Sequence, residues 1–113
     1  MTLINNELTK GEELVMKAIW NCKNEPVLQD VLMQVKDIYG KQWASQTVST
    51  FLSKLCTKGY IRMIRNGKIY RYKVMVEEGD YQKWKLKHML MYIYNNDSES
   101  MMYDLQELTG SRE

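Results

Sequence analysis

The sequence is poor in the residues that most enzymes and metal proteins use for chemistry. It contains one histidine, His88, and two cysteines, Cys22 and Cys56, that lie far apart along the chain. There is no Ser/His/Asp or Cys/His grouping, no metal-ligand spacing and no glycine-rich loop for phosphates. We therefore expect no enzyme, no metal site and no cofactor. We interpret the cysteines as reduced core thiols of a cytoplasmic protein.

Long apolar runs are also missing. No stretch approaches the roughly eighteen apolar residues of a membrane span. The segment from Met1 to Thr9 lacks the basic start and apolar core of a secretory signal. A chain of 113 residues has room for one domain, or for one domain with an appendage. We expect a cytoplasmic globular protein without a membrane partner.

The most informative absence is that of carboxylates from Ile38 to Val76, in a chain with fourteen Asp and Glu residues. The same stretch holds eight of the sixteen Lys and Arg residues, so it produces a local positive field that the net charge of +2 conceals. A polyanion is the partner that fits such a field, and DNA is the first hypothesis. The eight cations are Lys41, Lys54, Lys58, Arg62, Arg65, Lys68, Arg71 and Lys73.

Periodicity and capping residues predict three helices in the first half of the chain. Thr9 and Glu12 form a capping-box pattern that starts helix 1. Apolar residues at intervals of three and four predict helix 2, which Gly40 ends as a left-handed C-cap. The same spacing predicts helix 3. Helix 2 covers residues 28–39, and helix 3 covers residues 45–58 with Ser45 as its N-cap.

The second half of the chain predicts a hairpin and two more helices. Asn66-Gly67 tolerates the positive backbone angles of a type I′ turn, so strands are expected over residues 60–65 and 68–74. Asp80 is expected to cap helix 4, which runs to about Tyr94, and Ser98 to start helix 5. The predicted fold is mainly α with a small antiparallel β-hairpin. It is a winged helix-turn-helix over residues 1–78, followed by C-terminal dimerisation helices over residues 79–113.

The outward face of helix 3 carries amides and hydroxyls instead of the Glu, Lys and Arg of an ordinary solvated face. Gln46, Thr50, Ser53 and Thr57 lie opposite the apolar stripe, with Thr47 beside them. Short polar side chains suit a helix that approaches base edges closely, since Gln can bond adenine and Thr offers a hydroxyl and a methyl group. The alternative is a polar face that the fold merely tolerates.

The hairpin gathers cations on one face and at its tip. The expected turn places Arg62 opposite Arg71 and Arg65 opposite Lys68, and like charges across a strand pair are mildly destabilising. Phosphates would neutralise this repulsion if the hairpin lay along a DNA backbone. Alternatively, the cations form a basic edge that prevents sheet pairing. The predicted backbone contacts are Trp43, Ser45, Ser53, Lys54, Arg62, Arg65, Lys68 and Arg71.

The C-terminal helices have more apolar surface than one domain can cover. Residues 89–94 are consecutive apolar or aromatic side chains, so helix 4 is apolar around most of its circumference. A second copy of the same helix is the simplest cover, and it implies a homodimer. Helices 4 and 5 closing over one core is an alternative, as is a protein-interaction module that uses this Met/Tyr-rich tail. The predicted interface residues are Trp84, Met89, Leu90, Tyr92, Ile93, Tyr94, Met101, Met102 and Leu105.

Three segments occur in an order and spacing that match a known family. They are Glu12 to Trp20 (EELVMKAIW), Trp43 to Ile61 (WASQTVSTFLSKLCTKGYI) and Gly67 to Tyr72 (GKIYRY). The Met-x-x-x-Trp of helix 1, the Trp-x-x-x-Thr-Val entry to helix 3 and the Lys-Gly that closes it are fairly specific in combination. Over roughly residues 8–94 the chain resembles the penicillinase-repressor family (BlaI/MecI/CopY type).

The resemblance implies a bacterial winged-helix transcriptional repressor. Members bind operator DNA as homodimers, and their C-terminal helices form the dimer. The family's base-contacting positions fall here on Gln46, Thr47 and Thr50, and its wing falls on Arg65 to Tyr70. Proteolysis within the C-terminal region releases the DNA in the antibiotic-responsive members.

The chain departs from the family's pattern in several places. Trp43-Ala44-Ser45-Gln46-Thr47 stands where the family commonly has Trp-Ser-Pro-Lys-Thr, so a different operator sequence is expected. Met102-Tyr103-Asp104-Leu105 lacks the Asn-Phe pair of the cleavage site, so regulation by that protease is not expected. The paired cysteines of the copper-responsive branch are absent. The sequence ends at Glu113, about one helix early, so we expect a smaller or differently built dimer.

Overall fold

The structure is a computed structural model that describes residues 7–110. Residues 1–6, in which we expect no secretory signal, and residues 111–113, where the sequence ends, lie outside this range. The predicted fold, mainly helical with one antiparallel hairpin, is confirmed. Its elements are α1 (Lys10–Trp20), α2 (Leu28–Tyr39), α3 (Ser45–Thr57), β1 (Ile61–Asn66), β2 (Ile69–Val74), α4 (Glu78–Tyr92) and α5 (Ser98–Thr109).

Local hydrogen bonds define the ends of several helices, and two of these ends have the caps that the sequence predicts. The Thr9 hydroxyl accepts from the amide of Glu12 at 3.3 Å, and the Glu12 carboxylate accepts from the amide of Thr9 at 2.8 Å. Gly40 ends α2 in the left-handed conformation, at φ +65°. Asp97 caps α5 by accepting from the amide of Ser100 at 3.0 Å. The capping box and the glycine C-cap are therefore confirmed.

Two predicted caps are wrong. Ser45 is the first residue of α3, because the amide of Val48 already bonds to the carbonyl of Ala44, which holds the N-cap position without a side-chain bond. Asp80 lies inside α4, which begins at Glu78. Two bonds to α1 hold the chain where α4 begins. Lys17 pairs with the Glu78 carboxylate, and the indole nitrogen of Trp20 donates to the carbonyl of Val76 at 2.9 Å.

The core of the first three helices consists of one apolar stripe from each. The hairpin and the segment after it close this core. Cys22 and Cys56 are half-buried and unpaired, and burial raises the pKa of both thiols, so they remain protonated. The buried residues of the helices are Val15, Met16, Ala18, Ile19, Val31, Val35, Val48, Leu52 and Leu55, and those that follow are Tyr60, Ile61, Tyr72 and Val76.

The hairpin pairs in a register two residues away from the predicted one. Asn66 lies opposite Ile69, so the two turn residues are Gly67 and Lys68. Of these two, Gly67 has a positive φ, at +68°, and Lys68 does not. The cross-strand partners change with the register. Arg62 lies opposite Lys73 instead of Arg71, and Arg65 lies opposite Tyr70 instead of Lys68.

Backbone bonds far from the turn hold this register. The amide of Tyr72 donates to the carbonyl of Pro26 at 3.0 Å, and the amides of Met75 and Val76 donate to the carbonyl of Tyr60 at 2.9 and 3.3 Å. These bonds fix both strands at their base, so the turn adopts whatever residues remain at the tip. A shift of two residues also leaves every side chain on its predicted face.

The chain divides into two compact units, Met1–Glu78 and Gly79–Glu113. The first unit holds α1 to α3 and the hairpin, and the second holds all of α4 after its first residue together with α5. Across residues 7–110, no helix is both long enough and apolar enough to span a bilayer.

Candidate nucleic-acid interface

The outward face of α3 is exposed and uncharged at its centre. Gln46, Thr47 and Thr50 all lie in solvent, while Val48 and Leu52 of the same helix are buried. Ser53 and Lys54 are also exposed, and they continue this surface toward the end of the helix. The surface offers amide, hydroxyl and ammonium groups, which hydrogen-bond base edges and phosphates, and it has no carboxylate to repel them.

The Thr50 hydroxyl has a defined orientation. It donates to the carbonyl of Gln46 at 2.9 Å, and the Thr57 hydroxyl donates to the carbonyl of Ser53 in the same way at 3.1 Å. Because the hydroxyl proton is used within the helix, the oxygen of Thr50 presents lone pairs outward as an acceptor. Such an acceptor suits the amino group of adenine or cytosine in the major groove.

Aromatic packing anchors the start of α3. The ring centroids of Trp43 and Phe51 lie 5.2 Å apart, with the ring planes at 37°. Phe51 in turn packs on Gly11 of α1, where an added Cβ would lie 2.5 Å from the tip of the ring. Since Ala44 provides no cap, the amides of the first turn have no side-chain acceptor. This positive helix end, which begins at Ser45, suits a phosphate.

The hairpin, which we call the wing, presents its cations in two ways. Arg62 and Lys68 are simply exposed. Arg65 is held in place, because its Nε donates to the carbonyl of Gly67 at 2.9 Å and its guanidinium lies 5.6 Å from the centroid of the Tyr70 ring. Arg65 therefore loses less rotamer entropy on binding a phosphate than a free arginine would.

Arg71 has a structural partner as well as a predicted role on DNA. Its Nη1 donates to the carbonyl of Glu25 at 2.8 Å, which ties β2 to the connector between α1 and α2. Part of the guanidinium is thus committed to the fold, and Arg71 is half-buried. Contact between its remaining donors and DNA stays a prediction.

Lys58 has a role that the sequence did not reveal. It pairs with Glu12 at 2.6 Å and donates to the carbonyl of Glu7 at 2.9 Å, so it joins the end of α3 to the start of α1. Glu12 is only 1 % exposed. The burial of Glu12 could have been predicted from helical spacing, since Glu12 lies three and four residues before the buried Val15 and Met16. One of the eight cations is therefore neutralised by a buried carboxylate of the protein itself.

The environment of Glu12 favours its ionised form. Burial by itself raises the pKa of this carboxyl, but the hydrogen bonds from Lys58 and from the backbone of Thr9, together with the charge of Lys58, outweigh burial and lower the pKa below its usual value. Tyr60 lies in the same region. Burial, with added repulsion from Glu12, Glu13 and Glu7, raises the pKa of Tyr60 to about 12.

The second unit exposes most of the residues predicted for a dimer interface. Tyr92 and Ile93 are about 70 % exposed, and Met89, Met102 and Leu105 are exposed as well. The others are half-buried: Trp84, Leu90, Tyr94 and Met101. None of the described residues of α5 is buried, which argues against helices 4 and 5 closing over a core of their own.

Aromatic stacking along α4 is a further feature that was not predicted from the sequence. The ring of His88 lies 4.1 Å from that of Trp84 and 5.6 Å from that of Tyr92, and Trp84 also stacks with Tyr81 at 5.9 Å. These residues are three or four apart, so they form one stripe along the helix. Their spacing was the available signal.

Comparisons with known proteins match almost the whole chain. The family model described as penicillinase repressor matches residues 8–110. The methicillin resistance regulatory protein MecI of Staphylococcus aureus (strain N315) is 27% identical over 104 residues, which cover 89% of this chain and 80% of MecI. The penicillinase repressor of Bacillus licheniformis is 26% identical over 102 residues, which cover 89% of this chain and 77% of that protein.

A solved structure has a similar fold. It is the solution structure of the monomeric form of Bacillus licheniformis BlaI in complex with the blaP half-operator. The two chains are 26% identical and superpose with a TM-score of 0.56. The match covers 72% of this chain and 94% of that one.

Proposed function

The chain belongs to the penicillinase repressor family, and we propose that it is a cytoplasmic transcriptional repressor that binds double-stranded operator DNA as a homodimer. The exposed, uncharged face of α3, within a stretch of sequence (residues 38–76) that contains no carboxylate, is the observation that carries this proposal. The likeness to a family member solved with its half-operator supports it. Residues 1–78 would form the DNA-binding domain, and residues 79–113 would form the dimerisation segment.

The contacts with DNA divide into two kinds. Gln46, Thr47 and Thr50 would enter the major groove and contact base edges, since they are exposed and uncharged. The second kind would hold the phosphates, which positions the protein without specifying sequence. These proposed backbone contacts are Trp43 and Ser45 at the start of α3, Ser53 and Lys54 near its end, and Arg62, Arg65, Lys68 and Arg71 on the wing.

The exposed apolar surface of the second unit supports the homodimer. Side chains as large as Tyr92, Ile93 and Leu108 are 70 % exposed or more, which a stable monomer rarely tolerates in one small segment. A two-fold dimer would cover them and present two copies of α3 to DNA. The two half-sites would then lie one helical turn apart, about 34 Å, or a multiple of that distance.

Selection of genomic DNA fragments with the purified full-length protein, followed by footprinting, tests this function. We expect a protected site with two-fold symmetry whose half-sites follow the spacing above. A protected site without symmetry would contradict the homodimer. If the protein fails to bind any DNA even at about 50 mM salt, where non-specific cationic binding survives, the DNA-binding role is wrong and a protein-interaction module takes its place.

A further inference from the structure

After Asp80, near the start of α4, the two helices of the second unit carry opposite charges. From Tyr81 to Tyr94, which includes most of α4, the only charged residues are lysines, and from Asn95 to Gly110, which includes all of α5, they are only carboxylates. Within residues 81–110, therefore, lysines and carboxylates occupy separate helices. The lysines are Lys83, Lys85 and Lys87, and the acids are Asp97, Glu99, Asp104 and Glu107.

An open apolar groove lies between these helices within one chain. It has a volume of about 350 Å³, and its walls come from α4 and α5, with Leu86 and Leu90 on one side and Met101 and Leu105 on the other. Lys83 and Lys87 lie at its α4 edge and are exposed. The groove thus combines apolar walls with a positively charged rim.

The charge pattern decides between two ways of covering this surface. If α4 packed along its own copy, the lysines of one helix would approach those of the other, and like charges at such an interface are unfavourable. If α4 packed along α5 of a second copy, lysines would approach carboxylates instead. A two-fold dimer makes the same contact twice, because the patch on each subunit includes both helices.

We propose that α5 of the partner subunit packs against the groove and lysine rim of α4, so that opposite charges select this pairing over the α4-to-α4 pairing expected from the apolar pattern. The inference rests on the homodimer of the proposed function and adds to it which helices meet. Apolar side chains supply most of the contact, and the charges determine the pairing.

Charge reversal on the two helices tests this arrangement. Variant one carries Lys83→Glu and Lys87→Glu, and variant two carries Glu99→Lys and Glu107→Lys. We expect each variant alone to dimerise about tenfold more weakly or worse, because each two-fold interface then sets like charges together at both of its contacts. A control with Lys23→Glu and Lys36→Glu, both exposed in the first unit, should dimerise as the wild type does.

Mixing the variants gives the decisive result. In a heterodimer of the two variants both contacts again join opposite charges, so native mass spectrometry of the mixture, with one chain isotope-labelled, should show heterodimers in large excess over either homodimer. Repulsion within each chain cannot be relieved by mixing. Variants that dimerise normally, or a mixture without preferential heterodimers, would overturn the proposed pairing.

Sedimentation of the wild-type protein keeps the test valid if a variant does not fold. Dimerisation should weaken as salt rises from about 50 to 500 mM, since exposed ion pairs are screened. A wild-type dimer whose affinity does not fall with salt contradicts the charge pairing while leaving the homodimer intact. A wild-type protein that remains monomeric at about 100 µM would instead refute the homodimer of the proposed function.

Discussion

Replacement of Lys58 by methionine tests whether its charge serves the fold. The change removes the ammonium but keeps an unbranched side chain, so the Glu12 carboxylate, whose side chain is 2 % exposed, loses its countercharge at 2.6 Å. Loss of one partner of a buried pair costs about 3 to 5 kcal/mol. We expect a value near 3 kcal/mol, because the Lys58 side chain is 25 % exposed and Thr9 still bonds the carboxylate.

Chemical denaturation of the wild type and the variant measures this difference. For a chain of this size it corresponds to a fall in Tm of roughly 10–20 °C. Lys54→Met is the matched control, since Lys54 lies in the last turn of α3, four residues before Lys58, and is exposed. Its free energy of unfolding should stay within about 0.5 kcal/mol of the wild type. If Lys58→Met is as stable as Lys54→Met, the ion pair does not stabilise the fold as we describe.

The remaining predictions concern pH, packing and the wing. The pKa of Glu12 is lowered in the folded protein. The carboxylate therefore contributes its stability above its unfolded pKa of about 4.5, and this contribution is lost as pH falls through the folded value. The stability of Glu12→Gln, measured over the same acid range, should not show this loss. Gly11→Ala should lower the free energy of unfolding by about 1 kcal/mol, because the new Cβ meets the ring of Phe51. Gly79→Ala, whose new Cβ meets nothing within 4 Å, should raise it by up to about 1 kcal/mol. Urea titrations in which the two variants change stability in the same direction would contradict this packing. Tyr70→Leu removes the ring beside Arg65 and should weaken DNA binding roughly two- to fivefold in fluorescence anisotropy, and an unchanged affinity would show that the ring does not position the arginine.

The sequence predicts the parts of the fold that local chemistry determines. The capping box at Thr9, the left-handed Gly40 and the apolar stripe of α3 each depend on residues within one or two turns, and all three are confirmed. The hairpin register depends instead on bonds far from the turn. Tyr72 donates to Pro26 in the connector before α2, and Met75 and Val76 donate to Tyr60 at the base of the hairpin. A turn preference at Asn66-Gly67 is too weak to resist those bonds.

The candidate site shows the same division. Exposure of Gln46 and Thr50 follows from helical periodicity, which the sequence contains in full. The pairing of Lys58 with Glu12 joins residues on different helices, so only the packing of α1 against α3 brings the two charges together. Composition therefore overestimates the positive charge available to DNA, because it counts a cation that the fold has already neutralised.

The central claim is that α3 specifies the DNA sequence while the wing holds the backbone. Binding of Gln46→Ala and Arg65→Ala to the selected operator and to a scrambled duplex, each over a range of salt concentrations, tests it most directly, with the exposed Gln82→Ala and Lys23→Ala as controls. Gln46→Ala should lose about 1 to 3 kcal/mol of discrimination between the two DNAs, and Arg65→Ala should weaken both and reduce the salt slope by about one. Equal effects of the two variants on both DNAs would contradict this division.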